Sequence, residues 1–200
     1  MNTPYSALKR SVKGRGTPPD AFLDTLLAWG KAAPDEIFGL NQESGDVMPR
    51  LCTLLGPWDG TASESDRTWI THRRAALLEL LRVLGGFESS WNWSEGVDRT
   101  NRTSMAHIEG QETGIFQVSY DSLLLERRGT TLRDCVQRFC GGVTVGAFIR
   151  QMKENPDFAL EYGARLLRVS YQWDGPIKRG EVNSSLSREA VNEWRALLTA

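Results

Sequence analysis

Glu88 stands in the stretch 86-GFESSWNWSEG-96, directly before Ser89 and close to Trp91 and Trp93. A carboxylate beside indoles loses hydration, and that loss favours its neutral form. A carboxyl group that keeps its proton at neutral pH is what general acid catalysis requires. The plainer account is a solvated Glu at a helix end, or one paired with Arg82 or Arg99, because carboxylates are mostly exposed. Three features weigh against that account. Glu88 continues an apolar stripe, the two tryptophans follow at once, and a helix C-terminus disfavours negative charge. A second carboxylate would have to come from the polar stretch that follows, which carries Glu95, Asp98, Glu109 and Glu112. Glu112 is the best placed, because it stands just before Gly114, where the chain returns towards Glu88. Glu109 comes next and Asp98 after it. For each, the competing account is a solvated loop charge.

These residues need elements to hold them. Leu77, Leu81, Leu84 and Glu88 recur at helical spacing, so at ~100° per residue they share one face of a helix from about Asp66 to Glu88. Gly85 and Gly86, one turn before its end, leave room for another backbone to come close. Residues 89–113 are polar and read as loops or a small irregular sheet. The stretch 114-GIFQVS-119 is apolar, and Ser119 is placed to cap a helix starting near Tyr120. Further helices are expected over 131–140, 144–154, 156–170 and 187–199. Ahead of the long helix, 17-TPPD-20 reads as a helix start before Phe22, Leu23, Leu26, Leu27 and Trp29. Residues 39–65 read mostly as loop, including 56-GPWDG-60. Residues 1–16, polar with Gly14 and Gly16, read as a flexible arm. The expected class is mainly α: an arm over 1–16, then a single domain over 17–200 with its motif core at about 66–180.

Composition narrows the partners. The 200 residues carry 24 basic and 25 acidic side chains, a net charge of −1. Such a chain has no overall field to steer it to nucleic acid, so no nucleic-acid partner is expected. No run is long and apolar enough for a membrane span, and the N-terminus lacks the apolar region of a secretory signal. The three cysteines, Cys52, Cys135 and Cys140, make no complete disulfide framework. The lone histidines, His72 and His107, supply no metal-ligand spacing, so neither metal nor cofactor is expected.

In order along the chain, a leucine-rich helix ending in 88-ESSW-91, a polar excursion and 114-GIFQVS-119 resemble the lysozyme-like superfamily, above all the soluble lytic transglycosylases and goose-type lysozymes. The segment 162-YGARLLRVSYQWDGPIKRG-180 resembles that family's last motif, with Tyr171-Gln172 in place of Tyr-Asn and Gly175-Pro176 following. The resemblance spans roughly 70–180, and residues 1–60 lie outside it. It implies a lysozyme-like helical domain with a small irregular loop or β insertion lining a cleft. It implies Glu88 as proton donor, Gln117 on the cleft floor against polar groups of the substrate, Ser89 orienting Glu88 or holding the helix end, and Tyr171 leaning over Glu88. The competing accounts are a solvent-facing Gln in a short strand, a loop serine and a half-buried core tyrosine. Indole faces stack on the C–H faces of sugars, so Trp91, Trp93 and Trp173 are expected along the cleft. Trp29, Trp69 and Trp194 fall on helical stripes and are expected in the core.

The activity so implied is that of a peptidoglycan-cleaving muramidase acting on the β-1,4 bond between N-acetylmuramic acid and N-acetylglucosamine. Glycoside hydrolysis ordinarily uses two carboxylates, so Glu112 tilts the expectation towards hydrolysis. Three alternatives stay open. One is a lytic transglycosylase using Glu88 alone as acid and then base, the sugar's own hydroxyl closing an anhydro ring. Another is a non-catalytic wall-binding module, and the last is a helical adaptor that binds no glycan. The expected partners are the glycan strand and an immunity or inhibitor protein. Without a signal peptide, the enzyme is expected to reach the periplasm or cell wall of a target bacterium through a secretion machine, by phage lysis or as part of a larger protein. An antibacterial effector is the preferred setting.

Overall fold

The computed structural model describes residues 5–40, 43–56, 67–96, 107–126, 129 and 131–200. Among them the chain is mainly helical, and extended pairing is confined to isolated bridges. Helix α1 is Asp20–Ala32, α2 Met48–Leu55, α3 Arg67–Ser89, α4 Thr131–Cys140, α5 Val145–Glu154, α6 Pro156–Ser170, α7 Gly175–Lys178 and α8 Arg188–Thr199. The helix starts follow side-chain caps. Thr144 accepts from Ala147 N, Asn155 from Phe158 N, Asp174 from Ile177 N and Ser187 from Ala190 N. At α1 the start is set by Pro19 rather than by a Thr17 cap. Ser119 makes no cap bond either, and Tyr120–Leu125 is a 3-10 helix.

Helix α3 is the central element, with α1, α2, α6 and α8 packed against it. Its leucines are buried on several sides, including Leu77, Leu78, Leu80, Leu81 and Leu84, as expected of a helix inside a shell of helices. It also buries an ion pair. Arg82 Nε and Nη2 donate to Glu79 at 2.8 Å each. Arg82 Nη1 and Nη2 further donate to the carbonyls of Arg10 and Ser185, and Ser187 N donates back to Glu79. Both side chains are fully buried, and the bonds around them offset the desolvation that such burial costs. Arg82 is thereby committed to Glu79 and is no partner for Glu88.

Two stretches depart from the sequence reading. Residues 5–16, expected as part of a flexible arm, are tied down. Leu8 and Val12 are fully buried, Tyr5 Oη donates to Asp24, and the backbone N–H groups of Ser6 and Leu8 donate to Glu193. The polar composition hid three apolar side chains spaced widely enough to reach the core. Residues 39–65, expected mostly as loop, contain α2. Pro49 sits in its first turn, where a missing N–H costs nothing, and Met48, Leu51 and Leu55 form its buried stripe. The connection from α1 to α2 is held by arginines: Arg74 donates to the carbonyls of Gly30 and Ala33, Arg73 to those of Phe38 and Gly39, and Arg168 to Ile37, Gly39 and Asp46.

Candidate active site

The end of α3 is shaped by a reversal. Trp91 N donates to Gly85 O at 2.9 Å and Ser90 N to Gly86 O at 3.1 Å. Ser90 and Trp91 take left-handed backbone angles, φ 53° and 64°, which non-glycine residues adopt only where surroundings enforce it. The indole of Trp91 then folds back across α3, and its Nε1 donates to Arg82 O at 2.9 Å. A Cβ on Gly86 would come within 2.7 Å of that indole. The glycine pair therefore admits a tryptophan ring, not a neighbouring backbone. Trp93 stacks at a tilt on Phe22, with ring centroids 5.7 Å apart. Both tryptophans lock the helix end and leave Glu88 half-buried at its lip.

The returning chain forms the facing wall. Gly114 N donates to Glu95 O at 3.0 Å, and Thr113 and Val118 exchange backbone hydrogen bonds of 3.2 and 3.1 Å around a tight turn. Gln117 completes this turn with φ 47°, its Nε2 donating to Gly114 O at 2.9 Å. Gly114 is required here, since a Cβ would lie 2.6 Å from Met152 O and φ is +72°. Ser89 ties the walls together: its Oγ donates to Ile115 O at 2.9 Å and accepts from Asn92 N at 3.1 Å.

Between these walls lies a cleft of about 580 Å³. Phe87, Glu88, Ser89, Ser90, Glu95, Gly96, Glu112 and Gln117 line one part of it. Arg15 of the N-terminal segment and Pro176, Arg179 and Glu181 line the rest. A separate cavity of about 330 Å³ is bounded by Ile37, Leu40, Glu126 and Arg165 among others.

The electrostatics of the cleft centre on Glu88. Burial raises its pKa most, the charge of Asp174 and a hydrogen bond with it add to this, and Glu112 adds more, while Arg15 opposes; the result is about 8. Glu88 is therefore mainly protonated at neutral pH. Its neighbour Asp174 is 1% exposed. Burial raises the Asp174 carboxyl to about 6, against the opposing pull of the Ile177 N–H, Glu88 and Arg179. Among the described residues no cluster of His, Cys, Asp or Glu is arranged to hold a metal ion.

No protein-family model, curated protein or solved structure matches the chain.

Of the residues singled out in the sequence, Glu88, Glu112, Ser89 and Gln117 meet in the cleft, and so does Glu95 from the carboxylate-rich stretch. The aromatic residues do not. Trp91 is a core residue at 6% exposure, Trp93 packs on Phe22, and Trp173 packs against the core. Tyr171 lies away from the cleft lining, its ring beneath the Arg50 guanidinium at 5.7 Å and its N–H on Gly45 O. Spacing alone could not separate indoles that wall a cleft from indoles that brace the helix behind it. Glu109 sits in a 3-10 turn, Ile108–Gly110, outside the lining, and Asp98 lies outside the described residues. Phe87, Arg15, Arg179 and Glu181 line the cleft without being singled out by the sequence, and Asp174, outside the lining, stands against Glu88. For Asp174 a local signal exists, an Asp before Gly-Pro that reads as a helix cap. Its approach to Glu88 is a long-range contact that no local pattern encodes.

Proposed function

We propose that the protein is a lysozyme-like glycoside hydrolase that cleaves the β-1,4 bond between N-acetylmuramic acid and N-acetylglucosamine in peptidoglycan. One arrangement carries the reading: Glu88, half-buried in the lining of a polar cleft, has its pKa raised to about 8, chiefly by burial, with a second carboxylate, Glu112, on the same cleft. A protonated carboxyl at a cleft floor can hand its proton to a glycosidic oxygen, and a nearby carboxylate can activate water or shield the developing positive charge. The choice of peptidoglycan comes from the resemblance of the helix ending in 88-ESSW-91 and of 114-GIFQVS-119 to lytic transglycosylases and goose-type lysozymes. Of the aromatic residues near Glu88, Phe87 lines the cleft and the indoles do not. Action on the wall of a target bacterium, and an immunity protein as partner, belong to this proposal. The test is a suspension of purified peptidoglycan, followed by turbidity and product mass. Clearing with products that carry a free reducing end is the expected result. Products lighter by one water would replace hydrolysis with the transglycosylase course, and an unchanged suspension together with no glycan binding would remove the reading.

A further inference from the structure

Asp174 is buried behind the cleft lining, against Glu88. It caps α7, its Oδ1 accepting from Ile177 N at 2.6 Å. The residue is 1% exposed, and its other oxygen, Oδ2, is buried with no N–H or O–H donor among the described residues reaching it. An orphaned carboxylate oxygen in the interior is costly unless something donates to it. The side chain within hydrogen-bonding reach is the carboxyl group of Glu88. Two carboxylates cannot bond to each other when both are ionised, whereas one proton between them satisfies both.

We propose that Asp174 is the positioning residue of the general acid: protonated Glu88 donates to Asp174 Oδ2, and this bond both completes the buried cap and fixes the acid in the cleft lining. The inference rests on the reading of Glu88 as proton donor. When a glycan occupies the cleft, the Glu88 O–H turns from Asp174 to the glycosidic oxygen. That O–H bond breaks, the C–O bond of the leaving sugar breaks with its electron pair on oxygen, and the proton ends on the departing hydroxyl. Glu88 and Asp174 are then both negative and adjacent, which makes Glu88 a strong base for the next proton. It takes that proton from the incoming water, or from the sugar hydroxyl in a transglycosylase, as that oxygen bonds to the anomeric carbon left by the broken C–O bond, and the pair returns to its starting state. The other charges facing the pair are Glu112 and Arg15 on the side of Glu88, and Arg179 and Glu181 on the side of Asp174. They bias the pair but do not supply the missing donor to Oδ2.

The experiment is a carboxyl-carbon NMR titration of the full chain, run beside the pH profile of peptidoglycan clearing, for the wild type and Asp174→Asn. Asparagine keeps an oxygen for Ile177 N and turns an amide donor towards Glu88, so it favours the ionised acid. The Glu88 midpoint and the alkaline limb of activity should both move down by about one pH unit or more. In the wild type, the carbons of Glu88 and Asp174 should report the same proton, each sensing the other's inflection. A Glu88 midpoint unmoved in Asp174→Asn would overturn the proposal, even if the rate fell uniformly, since that is what a purely structural cap would give. If the variant does not fold, independent wild-type titrations would overturn it alone, and a shared inflection would support it. A shifted midpoint in a protein that clears no peptidoglycan would keep the pair and discard the muramidase reading.

Discussion

Glu88 holds its proton more firmly folded than unfolded, and that sets both its chemistry and its cost. Its pKa rises from an ordinary 4.5 to about 8 on folding, so the folded state binds the extra proton between those values. Stability tied to this group is therefore present below pH 4.5 and is lost as pH rises towards about 8. Glu88→Gln keeps the shape and removes the titration. Its melting temperature should equal or exceed that of the wild type at pH 8, with the difference shrinking towards pH 5. Its clearing activity should fall by at least ~10²-fold, the ordinary contribution of general acid catalysis. Activity within a few-fold of wild type would end the assignment. Glu112→Gln should also cost about 10²-fold if its carboxylate acts on water or the sugar. A mild loss, with products lighter by one water, would leave Glu88 to work alone. Glu88 was legible in the sequence because its partial burial at the end of a leucine stripe follows from helical periodicity, a local property. Asp174 was not, because its significance lies in one buried oxygen whose partner sits on a different helix.

At the scale of elements, the end of α3 shows what pattern reading reaches and where it stops. Its span, and those of α4, α5, α6 and α8, follow from periodicity and caps and agree with the structure within a residue or two. The role of Gly85 and Gly86 does not, because the ring that fills the space belongs to Trp91 after a left-handed reversal. Nothing in the types of Ser90 and Trp91 announces that reversal. A contrast between two glycines tests the account. Gly86→Ala places a methyl group 2.7 Å from the indole, so Trp91 must move and its bond to Arg82 O is strained or lost. The expected cost is about 1–3 kcal/mol, with loss of activity, because the same turn seats Glu88. Gly146→Ala, on the exposed side of α5 with nothing within 4 Å, should instead stabilise by up to ~1 kcal/mol through helix propensity. Denaturant unfolding of both variants decides the matter, and equal behaviour would show that the packing of Trp91 is unimportant.

At the scale of the whole molecule, the segment at residues 5–16 joins the fold to the site. Leu8 and Val12 enter the core, Arg10 O receives Arg82, and Lys13 N donates to Ser185 Oγ before Arg15 reaches the cleft. Deleting residues 1–16 would uncover the apolar surface under Leu8 and Val12 and strip a bond from the buried Arg82–Glu79 pair. A buried charged group left short of a partner costs about 1–3 kcal/mol or more, so the melting temperature should fall by roughly 5 °C or more. The single change Arg15→Ala separates the two jobs of the segment. Arg15 is exposed, so its removal should leave the melting temperature nearly unchanged. Its positive charge opposes the upward shift of Glu88, so without it the acid should hold its proton to higher pH. The alkaline limb of activity should then move up, opposite to the shift expected for Asp174→Asn. A deletion that melts like the wild type would mean that residues 5–16 are the loose arm their polar composition suggested. An Arg15→Ala profile that superimposes on the wild type would mean that the segment braces the fold without acting on the acid.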